Sequence, residues 1–189
     1  MSHPTANLIA IDYHRVAARR VWLCCALLFA CLLLSHSAFA QNDRPAVFSE
    51  ITKQVLTDPT TYVPSATLYN SMQLDWNSSQ PLFRNGFLEN NARYTRSGLP
   101  HDLAMSYGAG NLKIAGDSLM IVPASLANNA LNRVLQHSLN ERFPQHRKMW
   151  ATLAWIERAT FASYSAYEVS SPHFEQWKKN ERLAKQLGY

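Results

Sequence analysis

The sequence predicts an all-α protein: a compact bundle of four to six helices behind an N-terminal signal peptide or uncleaved anchor. Three observations predict it. Apolar residues recur every three or four positions over most of the 189 residues, the spacing that lines one face of a helix. No stretch alternates apolar and polar residues as a half-buried strand does. All three cysteines, Cys24, Cys25 and Cys31, fall inside one apolar run near the start.

That run has the three parts of a secretory signal. Arg19-Arg20 supply the positive flank, residues 21–34 the greasy stretch, and Ala38-Phe39-Ala40 the small-x-small end before Gln41. The chain therefore divides into residues 1–40, a signal peptide, and residues 41–189, one helical domain working in the periplasm or outside the cell. Phe29 and the continuing Leu32-Leu33-Leu34 argue against a lipoprotein cysteine at Cys31. The leucine-rich run, with no Ser or Thr before the arginine pair, favours the general export route over the twin-arginine one. The rival is an uncleaved anchor. Residues 21–40 are long enough to cross a bilayer as a helix, with Arg15, Arg19 and Arg20 left inside.

Charge and size narrow the function classes. Residues 1–40 hold three of the 18 basic residues and one of the 13 acids, which leaves +3 for residues 41–189. So mild and dispersed an excess is no footprint for nucleic acid. The 149 residues of that part contain no cysteine, hence no disulfide, and suffice for one core.

The elements follow in order. Val47, Ile51 and Val55 make an amphipathic helix over residues 46–56, ended by Asp58-Pro59. Leu68, Met72 and Trp76 predict a helix over residues 65–83, capped by Ser65, kinked or ended by Pro81, and stopped by Asn85-Gly86. Residues 90–100 read as a loop. Asp102 is placed to cap a helix weakened by Gly108, Gly110 and Gly116, which signal a break or a close helix contact. Pro123 marks a kink or boundary, with Ser125 able to cap the next segment. Leu131, Leu135, Leu139 and Phe143 form a stripe ending at Pro144. A long central helix over residues 145–169, buried on nearly all sides, is followed by a separate last helix starting at Ser171-Pro172 and stopped by Gly188. Residues 149–169 carry only three charges, Glu157, Arg158 and Glu168, so the alternative reading is a membrane span and a multi-span membrane protein.

Catalytic signatures are sparse. No Gly-x-Ser-x-Gly elbow is present, and residues 41–189 offer no cysteine nucleophile. Gly108-Ala109-Gly110-Asn111 lacks the strand and lysine-serine pair of a phosphate loop. His137 and Glu141 have helical metal-ligand spacing, but one such pair is an ordinary hydrogen-bonded couple, so no metal and no cofactor are expected. His101-Asp102, in a loop entering a helix, is the candidate acid/base position, with Glu89 and Asp75 as further carboxylates.

The densest polar constellation runs from Asp75 to Arg93. Its candidate binding residues are Asp75, Trp76, Ser78, Ser79, Arg84, Glu89 and Asn91. An aspartate followed by two small hydroxyl residues and then Gly-x-x-Glu-x-Asn resembles a pattern in small uncharacterised helical membrane proteins. The matching positions are Asp75, Ser78, Ser79, Gly86, Glu89 and Asn91, over about 17 residues of 189. The resemblance implies no activity, and the helices of those proteins are far more apolar than residues 65–83 here.

Tyr62, Tyr69, Trp76, Tyr94, Tyr107, Trp150, Trp155, Tyr164, Tyr167, Trp177 and Tyr189 supply residues suited to wet–dry boundaries. With the export signal and the missing catalytic motifs, they point to a non-enzymatic interaction module for an envelope protein or the membrane surface. The alternative is a small periplasmic hydrolase or ligand-binding protein using His101, Asp102, Glu89 and Asp75.

Overall fold

A computed structural model describes residues 44–189, with side chains from Ala46 onward. The expected export segment lies outside the described residues. Within them the fold is all-α: α1 (Arg44–Thr57), α2 (Val63–Arg84), α3 (Tyr107–Leu119), α4 (Val122–Arg142) and α5 (Arg147–Leu187). Short 3-10 turns cover Pro59–Thr61, Ala92–Tyr94 and Pro144–His146. The only strand-like features among the described residues are two isolated bridges, Glu89 with Asp102 and Thr95 with Ala104.

Asp58 turns the chain from α1 into α2 by accepting from the Thr60 N–H and hydroxyl, at 3.1 and 2.7 Å. The fixed φ of Pro59 opens the turn it caps. α2 starts at Val63 with no side-chain cap. Ser65, expected as its cap, is buried within the first turn. Pro64, one residue ahead, occupies the opening positions that need no N–H partner. Pro81 lies inside the helix, which runs on to Arg84 and ends where Gly86 turns left-handed at φ +87°.

Asp102 does not cap α3. The two bridges fold the loop back on itself and hold residues 102–104 extended, and Ser106 caps the helix by accepting from the Ala109 N–H. Gly110 is the close helix contact: a Cβ there would overlap the indole of Trp76 on α2. α4 begins at Val122 with Pro123 in its first turn. Ser125, expected as a cap, is instead buried inside it.

α5 overturns the expected division at Ser171-Pro172. It is one helix of 41 residues, about 60 Å long at 1.5 Å per residue, with Pro172 inside it. Proline removes one backbone bond, and α2 packs broadly against α5, with His173 and Asn180 just beyond that point bonded to Asp75. α5 makes its broadest contact with α2 and a second with α4, while α1 lies on α4 and α3 on α2.

The packing departs from the expected apolar stripes. The apolar core is small: Met72, Trp76, Tyr94 and Ile114, flanked by Leu68, Phe83, Ala104 and Met105. α5 turns Ala154, Arg158, Ala162, Ala166 and Ser170 inward, and its large residues Met149, Leu153, Trp155, Ile156, Tyr164 and Tyr167 are exposed. Residues 149–169 are thus not buried on nearly all sides. Small side chains let the axes approach closely, and the bulky ones have no room between them. α4 repeats this pattern, burying Ser125, Asn129 and Asn132 while Leu135 faces out. Among the described residues, no helix is long and apolar enough to cross a membrane, so residues 149–169 are not a span.

Candidate functional site

The polar constellation on α2 meets α5. Asp75, Ser78 and Ser79 share one face of α2 because positions three and four apart are neighbours on a helix. His173 and Asn180, two turns apart on α5, reach the same face. The Nδ1 of His173 lies 3.0 Å from Asp75 Oδ2. Asn180 Nδ2 donates to Asp75 Oδ1 at 3.0 Å and to Ser79 Oγ at 2.8 Å, with Ser78 Oγ at 3.3 Å. Gln176 orients the amide by donating to Asn180 Oδ1 at 2.8 Å. The two serine hydroxyls donate to the Asp75 carbonyl at 2.8 and 2.9 Å. Asn180 is closed to solvent, whereas the His173 and Asp75 side chains keep 26% and 20% exposure, so this pair forms the open rim of the network.

Glu89 faces the same region. Burial pushes its carboxyl above the usual range. The Asp75 charge adds to that, against the N–H of Asn91, which donates to it at 2.7 Å. Trp76 is closed to solvent and packs against the rings of Phe83 and Tyr94, so in this conformation it presents nothing to a ligand. Arg84 is exposed at the end of α2. Asn91 caps the following turn, accepting from the Arg93 N–H at 3.1 Å. His101 is exposed with φ +60°, and Asp102 accepts from the Ser97 N–H at 3.2 Å. The bond from Ser97, with help from the Leu103 N–H and the charge of Arg96, lowers the Asp102 pKa.

The structure therefore brings Asp75, Ser78 and Ser79 together, with Glu89 within electrostatic reach. The histidine bonded to Asp75 is His173 rather than His101. Sequence reasoning missed His173 and Asn180. Their signal was polar, His173, Gln176 and Asn180 at spacings of three and four, in a helix read for its apolar face.

A second polar cluster ties α4, α5 and the α1–α2 corner. Arg133 and Arg158 each place a nitrogen 2.9 Å from Asp58 Oδ2. Asn132 joins the sequence neighbours Glu157 and Arg158 by donating to the first and accepting from the second. Asn129 donates to the Thr60 and Thr61 hydroxyls at 2.9 and 2.8 Å. Burial alone would raise the Asp58 pKa, but the bonds from Thr60 and Arg133 and the Arg158 charge outweigh it and hold it low. Two cations and two carboxylates balance here, so the cluster is a joint between elements rather than a site.

His137 and Glu141 lie 3.2 Å apart on α4, as an i, i+4 couple. His137 borders a cavity of about 370 Å³ between α1 and α4, with Val47, Ile51 and Gln136 among its lining. No group of three or more His, Cys, Asp or Glu among the described residues could hold a metal ion.

The other candidate is the outer face of α5. Met149, Leu153, Ile156, Tyr164 and Tyr167 are all exposed there, opposite the buried Ala154, Arg158, Ala162 and Ala166. No protein-family model, curated protein or solved structure matches the chain.

Proposed function

We propose that the chain is an exported helical protein of the cell envelope, acting as a non-enzymatic interaction module that docks a protein partner on the outer face of α5. One observation carries this reading: a run of large apolar side chains, tyrosine among them, is left exposed along one side of the longest helix. A contiguous apolar surface of that kind marks an interaction site, and aromatic residues and methionine are the types enriched at protein interfaces. Lipid is the poorer partner. Membrane-surface helices carry Lys and Arg beside the apolar face. Between Met149 and Trp177 the only Lys or Arg is Arg158, and it is buried. Residues 1–40, read as a signal peptide or anchor, deliver the domain to the periplasm or cell exterior.

The test is native sizing of the envelope fraction from expressing cells. The wild-type chain migrates in an assembly larger than its monomer, and Ile156→Glu/Tyr164→Glu migrates as the monomer with unchanged helical circular dichroism. A wild-type chain that is monomeric, or an assembly indifferent to the double substitution, refutes the reading.

A second reading has its own observation, the part-exposed His173–Asp75 pair beside Glu89. A carboxylate-oriented histidine at an open rim is the arrangement of a proton-transfer or small-ligand site. Histidine NMR shifts of His173 that stay unmoved in Asp75→Asn would remove it.

A further inference from the structure

We infer that the occupant of the α5 face is a second copy of this chain, packed antiparallel about a twofold axis. The inference rests on the docking reading above and names its partner.

The geometry of the face points to it. Met149, Leu153, Ile156, Thr160, Tyr164 and Tyr167 follow spacings of four, three, four, four and three. At about 100° per residue they fall within roughly 80° of the helix circumference. That is one continuous stripe along the helix rather than a scattered surface, near the repeat of a two-helix seam with a stutter between Thr160 and Tyr164. No charged residue sits on it, so a partner seam needs no counter-charge, and an identical seam qualifies.

The seam is also polarised. Its first half is aliphatic, with Met149, Leu153 and Ile156, and its second half carries Tyr164 and Tyr167. A parallel copy would stack tyrosine on tyrosine and leave aliphatic on aliphatic. An antiparallel copy centred near residue 158 sets Met149 against Tyr167, Leu153 against Tyr164, and Ile156 against Thr160. Each large ring then meets a flexible aliphatic chain, and methionine sulfur gains an aromatic partner. The same patch serves both subunits, as a twofold interface requires.

Area sets the strength. Tyr164 and Tyr167 are 60% and 68% exposed. On a scale of 150–250 Å² per aromatic side chain they offer roughly 250 Å² together, and the three half-exposed aliphatic residues bring the seam to roughly 500 Å². Stable interfaces cover about 800 Å² per partner. The seam reaches that only with its flanks, which gives a dimer dissociating on the order of micromolar.

The experiment is cysteine cross-linking of the full chain in expressing cells, with Cys24, Cys25 and Cys31 replaced by alanine. Met149→Cys/Tyr167→Cys is expected to form a covalent dimer, and neither single variant to link to itself, since equal positions lie at opposite ends of a seam about 27 Å long. Self-linking of Met149→Cys would show a parallel pair and overturn the proposal. Sedimentation equilibrium of the unsubstituted protein, as the cell processes it, supplies the second measurement. A concentration-dependent dimer that Tyr164→Glu converts to monomer supports the proposal, and a monomer at ten times the expected dissociation constant overturns it. A monomer that binds neutral phosphatidylcholine vesicles through Tyr164 overturns it in favour of lipid. If the envelope assembly needs Tyr164 but holds no second copy, the homodimer fails while the docking reading stands.

Discussion

Asp58 and Arg158, exactly one hundred residues apart in the chain, form an ion pair of 2.9 Å with both side chains nearly closed to solvent. The pair pins the first third of α5 to the corner between α1 and α2, and Asn132 and Arg133 extend it onto α4. Three elements thus meet at one carboxylate. Asp58→Ala leaves the buried Arg158 and the part-buried Arg133 without their carboxylate and is expected to cost about 3–5 kcal/mol, the range for breaking a buried pair. Urea unfolding followed by circular dichroism measures it. A loss below about 1 kcal/mol would show that water reaches the cluster and that it does not hold the corner.

Gly110 and Gly116 share α3 but face different surroundings. Gly110→Ala pushes a methyl group into the Trp76 indole and is expected to cost about 1–3 kcal/mol, as overpacking does. Gly116 has no neighbour within 4 Å of a new Cβ. Gly116→Ala is therefore expected to gain up to about 1 kcal/mol from helix propensity. Opposite signs in two thermal melts are the outcome to look for, and equal shifts would contradict the packing of α3 on α2.

Acid stability has two opposing contributions. For Asp117 burial pushes the carboxyl up, but the bonds from Lys113, Arg93 and Tyr94 outweigh it, so its folded pKa lies below the ordinary 3.8. Asp58 behaves likewise. Both stay ionised in the fold where the unfolded chain takes up protons, so their stabilisation is present above 3.8 and is lost as pH falls through the folded values. Glu89 runs the other way, because its folded pKa is raised from 4.5. Its contribution is full below 4.5 and is lost as pH rises through the folded value. Urea midpoints between pH 2.5 and 7 should therefore flatten at the acid end in Asp117→Asn. They should rise at pH 7, and stay unchanged at pH 3, in Glu89→Gln. A Glu89→Gln protein weakened at pH 7 would reverse the sign argued here.

Several features of the fold were legible because they are local. Val47, Ile51 and Val55 mark α1, and Gly86 and Gly188 stop α2 and α5 through the left-handed backbone that only glycine adopts cheaply. Asp75, Ser78 and Ser79 were grouped in one polar constellation by their nearness in the sequence. Ser65, Asp102 and Ser125 misled, since each has the chemistry of a cap and none occupies the capping position. Which residue begins a helix depends here on what the preceding loop is paired with, as the Glu89–Asp102 bridge demonstrates. Pro172 misled as well, since α5 runs through it and loses one backbone bond there without ending.

The order of apolar and polar residues by itself determined that this part of the chain is helical, because 3.6-residue periodicity is a property of each segment alone. It also put the carboxylate and hydroxyls of the polar network on one stretch of α2. Only the tertiary structure decided which face of each helix is buried. α5 has two candidate faces, one large and apolar, one of small residues interrupted by Arg158. The small face goes inside, because α2 and α4 can approach it closely and Asp58 awaits the arginine there. That choice leaves the large face outside, and it brings His173 and Asn180 to Asp75 across about one hundred residues of chain.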